Sequence, residues 1–507
     1  MKMHAFYIEE PDLVFGHRGE EKDPKLGLKY YGPYCPPTDS DPLPIQARIG
    51  IVGTGQTITL SKQVLKLLET QIISGEPNKW LYPDYPGFRT DNQVGCKFIW
   101  SDAWNSQIND YEVKRVLEIV NPNERIAAAS DLIAGKIEKI SFEESIPHVV
   151  ICALPLSIEE YCGISEKTRG CKTPRPTALE RTIYEMEKQG QKFLSEWILD
   201  VDRRTEEVSK SYDLHNAIKG KAMKFGLPTQ ILRETTARAM VDQSNGIYKT
   251  GQGLSTVAWN LSTGLFYKAS GHPWRLAKLT NGTCYIGISF YRNLRNPDLT
   301  LESSMAQVFT HSGEGFVLRG KDVTVDRQTH EAHLSKVQAY EILVDAIKKY
   351  TGKAGNPNRV VVHKTSIFSE EEKKGFDDAI GNTQKDYVAI SQNNDFRFLR
   401  TGKYPVLRGT VIALNLNQYL LYTTGFTPRV RTYPGLRIPR PLLITHEGDA
   451  EISVICSEIL GLTKLNWNTT AFSTQSPITL EFAQRVGRIL SEVPKGIKLQ
   501  DHYRFYM

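Results

Sequence analysis

Apolar and polar positions alternate along this chain in two registers. ARIGIVGTG (Ala47–Gly55) is a short apolar run closed by glycines. The next segment, SKQVLKLLETQI, spaces its apolar residues at helical intervals and predicts a helix over Ser61–Ile72 with Ser61 as N-cap. HVVICALP (His148–Pro155) reads as a second buried strand, and an amphipathic pattern predicts a long helix over Leu179–Val201. Strands alternating with helices imply an α/β layer fold with parallel pairing, in one unit over residues 46–275. Residues 1–45, rich in Pro and Gly, read as an irregular packed arm that leads into it.

A second unit is expected over residues 276–507. It opens on CYIGISF, followed by GFVLRGKDVTVD (Gly315–Asp326), which reads as a strand pair around a glycine turn. Leu334, Val337, Leu343, Val344 and Ile347 fall on one face of a helix over Leu334–Tyr350. RVVVHK (Arg359–Lys364) is a buried strand, VIALNLNQYLLYTTG (Val411–Gly425) a meander, and helices are expected near 450–461 and 478–492.

Composition changes this picture little. The chain has 507 residues, 40 % apolar and 24 % charged, with net charge +6, which permits nucleic-acid binding without demanding it. Seven cysteines (35, 96, 152, 162, 171, 284 and 456) form no C-x-x-C pair, so a zinc cluster or disulfide framework is not expected and a reducing cytoplasm fits. The start, MKMHAFYIEEPDLVF, lacks the apolar core of a signal peptide, and no run reaches the roughly 18 apolar residues of a membrane span. IVGTGQTI contains G-x-G, but the third glycine of a dinucleotide turn is replaced by Ile58, so NAD binding on this chain is not expected.

The sharpest chemical signal is YDLHNAIKGKAMKFGLPTQILRET (Tyr212–Thr235). Asp213 can cap a helix that stops at Gly226 and Pro228, and His215 and Lys219, four apart, share its face. Gln230 follows the turn, and Lys268 precedes a glycine in LFYKASGHPW. Ammonium groups, an amide and an imidazole converging from several directions suit a terminal phosphate. Phe426–Pro441 combines arginines with Tyr433 and is a candidate for a nucleic-acid channel or, equally, a partner-facing or solvated loop, while Asn394–Gly409 is basic with interleaved aromatics, an alternation that also suits a strand with one packed face.

The ordered series His215, Lys219, Gln230, Lys268 resembles the MID domain of Argonaute proteins, which binds the 5′-phosphate of a short guide strand. The resemblance implies that His215 contacts the first guide nucleotide while the other three hold the phosphate. It departs at Gly264, where many members have another Lys. That departure implies Mg2+ at the phosphate, with the carboxylate of Met507, which ends the aromatic tail HYRFYM, as a ligand.

CYIGISFYRN, VVVHKTSIFSEEE and NWNTTAFSTQSPITLEFAQRV resemble the strand ends and last helix of a Piwi domain, an RNase H-like nuclease fold. Active relatives carry metal-binding carboxylates where this chain has Ser289, Thr365 and Gln484. Neutral side chains cannot supply the charge that two hard cations need. A mobile-loop Glu completes the active set, for which Glu314 is the nearest candidate. His363 and Glu370–Glu372 are possible replacements, but the three glutamates read as the exposed, dipole-favoured start of a helix.

The resemblance thus implies a Rossmann-like MID domain followed by an inactive RNase H-like Piwi domain, as in short prokaryotic Argonautes. It further implies a small 5′-phosphorylated guide RNA, a single-stranded DNA target and a partner carrying an APAZ region. A TIR-APAZ partner that consumes NAD is favoured over a Sir2 or nuclease effector. Target binding would then oligomerise the heterodimer in defence against plasmids or phage. A self-sufficient guide-directed nuclease and a purely structural subunit are the alternatives.

Overall fold

The computed structural model describes residues 4–34, 45–163, 213–242, 253–292, 301–309, 315–319, 324–325, 332–433, 438–493 and 499–507. Two open sheets organise it. Strand β1 is His4–Tyr7, and the first sheet contains β2 (Ile45–Gly53), β3 (Cys96–Gln107), β4 (Val149–Leu154) and β5 (Thr229–Arg233). Its order is β3-β2-β4-β5 and every pairing is parallel. All six residues of β4, VVICAL, are buried, as a strand covered on both faces requires.

Helix α1 spans Gly55–Leu67, six residues ahead of the expected Ser61 start. Thr54 is its cap, accepting from Thr57 N at 3.3 Å, whereas Ser61 is interior and donates its hydroxyl to Thr57 O at 2.7 Å. A capped first turn can precede the apolar periodicity, which is why the pattern placed the start late. Gly53 permits the tight exit from β2: a Cβ there would lie 2.8 Å from Ala153 O. Helix α2 (Pro122–Ser141) covers the sheet with α3 (Leu214–Ala222), and α4 is Leu254–Lys268. The helix expected over Leu179–Val201 lies outside the described residues.

The second sheet has nine strands. They are β1, β6 (Thr283–Arg292), β7 (Leu301–Phe309), β8 (Gly315–Arg319), β9 (Arg359–Lys364), β10 (Gln384–Ser391), β11 (Thr410–Ala413), β12 (Gln418–Leu421) and β13 (Leu442–Gly448). The order is β1-β11-β12-β13-β10-β9-β6-β7-β8, parallel at β10-β9-β6 and antiparallel elsewhere. Gly315–Asp326 is not one hairpin. Gly315–Arg319 pairs with β7, while Thr324–Val325 pairs with Ala332–His333.

Helices α5 (Lys336–Ala354) and α6 (Glu370–Ile380) cover one face, where Ile286, Ile288, Val360 and Val362 meet Leu343 and Phe376. Val337, expected on the inward face of α5, is 65 % exposed; the helix starts at a Ser335–Gln338 capping box and turns that residue outward. The opposite face packs α7 (Ile452–Leu462) and α8 (Ile478–Leu490), with Tyr285 and Val361 against Ile478 and Leu480. Gly287 lets α8 cross β6 closely, since a Cβ there would sit 2.2 Å from Thr479 O.

The arm is more regular than its Pro and Gly content predicts. β1 adds an edge strand beside β11, and Asp23 caps a helix over Pro24–Tyr31. Glu10 accepts from Arg408 and Lys464, each at 2.7 Å, which ties the arm to the second sheet.

Candidate phosphate pocket and the candidate strand-end site

Asp213 caps α3 through Asn216 N at 2.8 Å, and the following turn ends at Gly226 with φ +66°. Lys219, one turn from His215, is only 2 % exposed. Its Nζ donates to Thr229 O at 2.9 Å and to the terminal oxygen of Met507. Lys268, the last residue of α4, is equally buried and donates to Gln230 Oε1; Gln230 Nε2 donates to Ile231 O at 3.0 Å. The backbone of Gly264 faces the same space, where a Cβ would lie 3.8 Å from Gln230 Oε1 and 3.9 Å from Asn468 Oδ1. His215, Lys219, Gln230, Lys268 and Met507 are therefore brought together, although they come from α3, β5, α4 and the tail.

Two neighbours escape the sequence reading. Arg485, on α8, acts electrostatically on His215, Lys219 and Lys268, and its only ion pair among the described residues is a loose 3.8 Å contact with Glu481. Asn468 reaches Gly264 from the segment before α8. Both belong to the second unit, so no local spacing announces them. The one available signal was a basic residue directly after the neutral Gln484.

Burial pushes Lys219 down to about 7, opposed by Cys152 and aided by Arg485. Burial, then Lys219 and Arg485, pushes Lys268 well below the usual lysine range. Burial and Lys219 push His215 down to about 3, so it is a neutral ring. Lys219, Lys268 and Arg485 thus act on one another within one buried space. An incoming anion with several oxygens relieves the repulsion and desolvation that these groups otherwise bear.

The donor chemistry also suits Mg2+ as an accessory ion. The Met507 carboxylate, Gln230 Oε1 and Asn468 Oδ1 are hard oxygen donors, and Gly264 leaves the gap between the two amides unfilled. Mg2+ commonly takes one or two protein oxygens and completes its shell with phosphate and water. Among the described residues no group of three His, Cys, Asp or Glu forms a metal site without such a ligand.

At the other candidate site, β6 and β9 run parallel with Ile288 opposite Lys364, so Thr365 comes level with Ser289. Ser289 is buried and its hydroxyl has no partner among the described residues, whereas Thr365 and Gln484 are exposed. Gln484 lies on α8, which crosses β6 at Gly287. Glu314 lies outside the described residues. His363 is buried against Thr479, Nδ1 to Oγ1 at 2.8 Å, and burial pushes it down to about 3.

The glutamates begin α6 as expected, but only Glu370 and Glu371 are exposed. Glu372 is fully buried, accepts from Lys364 at 2.6 and 2.8 Å, and also takes Leu334 N and Ser369 N. It sits at the third position of a capping box, directly over a strand-end lysine, and this converts a solvated position into a buried pair. The basic stretch Asn394–Gly409 is loop rather than strand, and Leu399 on it is 89 % exposed. Residues 434–437 of the other stretch lie outside the described residues.

No model of a protein family matches the chain. A curated protein argonaute of Aquifex aeolicus (strain VF5) is 19 % identical over 304 residues, covering 59 % of this chain and 39 % of that protein. Among solved structures, Clostridium butyricum Argonaute bound to a guide DNA and a 19-mer target DNA matches at TM-score 0.58 and 15 % identity, covering 98 % of this chain and 54 % of that one. Marinitoga piezophila Argonaute in complex with a 5′ OH guide RNA matches at TM-score 0.54 and 12 % identity, covering 99 % and 59 %. The chain is thus a sequence relative of an Argonaute and has the fold of the MID and Piwi portions of such proteins, while spanning little more than half the length of these solved chains.

Proposed function

We propose that this chain is a guide-loaded Argonaute without slicing activity, which recognises single-stranded DNA through a 5′-phosphorylated guide RNA and signals to a partner. The observation that carries the reading is the buried meeting of Lys219, Lys268 and Gln230 with the terminal carboxylate. Residues 1–45 act as an N-terminal arm that precedes the MID domain of residues 46–275, and residues 276–507 act as the Piwi domain. His215 meets the first nucleotide, Lys219, Gln230 and Lys268 grip its phosphate, and Met507 helps to hold Mg2+ there. The bound ion supplies extra positive charge to the phosphate. The chain's own residues orient the end of the strand and exclude water from it.

Ser289, Thr365 and Gln484 support an inactive Piwi domain, because two-metal hydrolysis needs carboxylates that bridge the ions. Base pairing then supplies specificity and the protein reads backbone and A-form shape. The output passes to an APAZ-containing partner, a TIR-APAZ protein that hydrolyses NAD, with oligomerisation of the heterodimer on target binding in cytoplasmic defence against plasmids or phage. No helix among the described residues is long and apolar enough to cross a membrane.

One similar structure holds a 5′ OH guide, so the end chemistry is itself the test. Binding of one short RNA with a 5′-phosphate or a 5′-hydroxyl is compared at fixed salt, with magnesium and with chelator. A preference for the phosphate that disappears in Lys219→Ala supports the reading. Equal binding, or chelator-sensitive cutting of a complementary target, overturns its first or second half respectively.

A further inference from the structure

The loop between α1 and β3 presents Trp80, which is 39 % exposed. It is held from behind. Asn78 Oδ1 accepts from Trp80 N at 3.1 Å and Leu81 N at 3.2 Å, while Asn78 Nδ2 donates to Val430 O at 3.0 Å. Leu81, Val430 and Phe472 form a small core of their own beneath the loop. This docking seats the indole against the turn Pro428–Val430, with the guanidinium carbons of Arg429 and Arg431 each 5.1 Å from the ring centroid.

The two arginines differ. Arg429 is fixed by Glu21 through a fork of 2.9 and 2.6 Å contacts. Arg431 is exposed, and its guanidinium rests on the indole rather than on a carboxylate. Its backbone has φ +54°, a left-handed conformation that a long side chain rarely adopts, held by Arg431 N donating to Pro428 O at 3.1 Å. The segment beneath the loop leads to the pocket: Phe472 packs with Leu81 and Val430 and follows Asn468 by four residues, at most about 14 Å of chain, and Asn468 Oδ1 faces Gly264 in the pocket.

We infer that Trp80 and Arg431 clamp the nucleic-acid strand where it leaves the phosphate pocket, the indole stacking a base and Arg431 moving from the ring to a backbone phosphate. The inference rests on the proposed guide-binding function and extends it to residues outside the pocket. An exposed indole is a sequence-tolerant stacking surface, and a guanidinium resting on it by a cation–π contact can exchange that contact for a charge-assisted bond to phosphate.

The test uses the full chain, a nucleoside 5′-monophosphate that fills only the pocket, and a 5′-phosphorylated RNA long enough to pass the clamp. Arg431→Gly suits the left-handed backbone, and Trp80→Phe keeps an aromatic face. Trp80→Ala and Arg431→Gly are each expected to weaken RNA binding about tenfold and leave monophosphate binding unchanged. Trp80→Phe retains most of the affinity, and Arg431→Gly lowers the salt slope by about one. Unchanged RNA affinity in Trp80→Ala and Arg431→Gly overturns the clamp, as does an equal loss for monophosphate, or a loss of protein-partner binding alone. Failure of the underlying reading looks different: the parent chain then binds the phosphate and hydroxyl ends equally, or Lys219→Ala leaves the phosphate preference intact.

Discussion

Lys219, in the middle of α3, donates a hydrogen bond to the carboxylate of Met507, 288 residues later in the chain. The bond couples the first unit to the C-terminal tail inside the candidate phosphate pocket. Extending the chain by one residue beyond Met507 displaces that charge. The expected outcome is a loss of roughly 1.5–3 kcal/mol in phosphate-end binding, the range of a hydrogen bond to a charged group, measured by comparing 5′-phosphate and 5′-hydroxyl RNA.

The same pocket predicts a pH dependence. Burial pushes Lys219 down to about 7 in the empty protein, so a growing share is neutral as pH rises above that value. Phosphate binding favours the ammonium form and takes up a proton. Affinity for the phosphorylated end should therefore fall as pH rises from 7 toward 9, and calorimetry in buffers of different ionisation enthalpy should register proton uptake. His215 stays neutral throughout this window and contributes nothing to the slope.

Gly264 offers a constructive test. A Cβ there meets only ordinary contacts at 3.8 and 3.9 Å, inside a helix, so Gly264→Lys should fold and gain up to about 1 kcal/mol of helix propensity. Its ammonium would enter the gap beside Gln230 and Asn468. RNA binding by this variant should lose most of whatever sensitivity to chelator the parent has.

Lys364 and Glu372 are both fully buried. Burial opposes ionisation of Glu372, but Lys364 and two backbone donors outweigh it and hold the carboxyl below its ordinary value. A depressed acid lends stability above the unfolded value near 4.5, lost as pH falls through the folded one. Lys364→Met should cost about 3–5 kcal/mol in denaturant unfolding, and the double variant with Glu372→Leu should recover much of it.

Ser289, within β6, stands level with Thr365, which directly follows the adjacent parallel strand β9. Replacing Ser289, Thr365 and Gln484 together by Asp should create a divalent-cation-dependent rise in Tm that the parent lacks. A parent that is itself stabilised by Mn2+ at these residues would argue against a dead site.

What the sequence makes legible follows from what is local. Asp213, His215 and Lys219 announce themselves because a cap and a helical repeat fit within one turn or two. Lys268 and Gln230 need only the strand-and-helix order. Arg485 and Asn468 do not stand out, because they enter the pocket by the packing of one unit on the other. The strand Cys96–Gln107 is obscured by Ser101, Asp102 and Asn105 among its apolar positions, and its register with β2 slips between Ile49 and Ile51. Glu372 is misjudged for the same reason as Arg485. Its partner lies on a different element, and three adjacent glutamates look alike until one of them meets a lysine from below.

The pairing of His4 with Ala413, and of Glu10 with Lys464 across 454 residues, has a consequence for synthesis. During translation the first residues emerge long before the strand and the cation that will receive them. The four-stranded sheet can close once Arg233 is out, whereas β1, β11 and β12 cannot be joined to β10 in the nine-stranded sheet until β13 appears. Contacts of such separation fold slowly and leave apolar strands uncovered meanwhile. A nascent chain of this kind is a natural client for chaperones, and truncations within the last hundred residues should aggregate rather than yield a smaller folded protein.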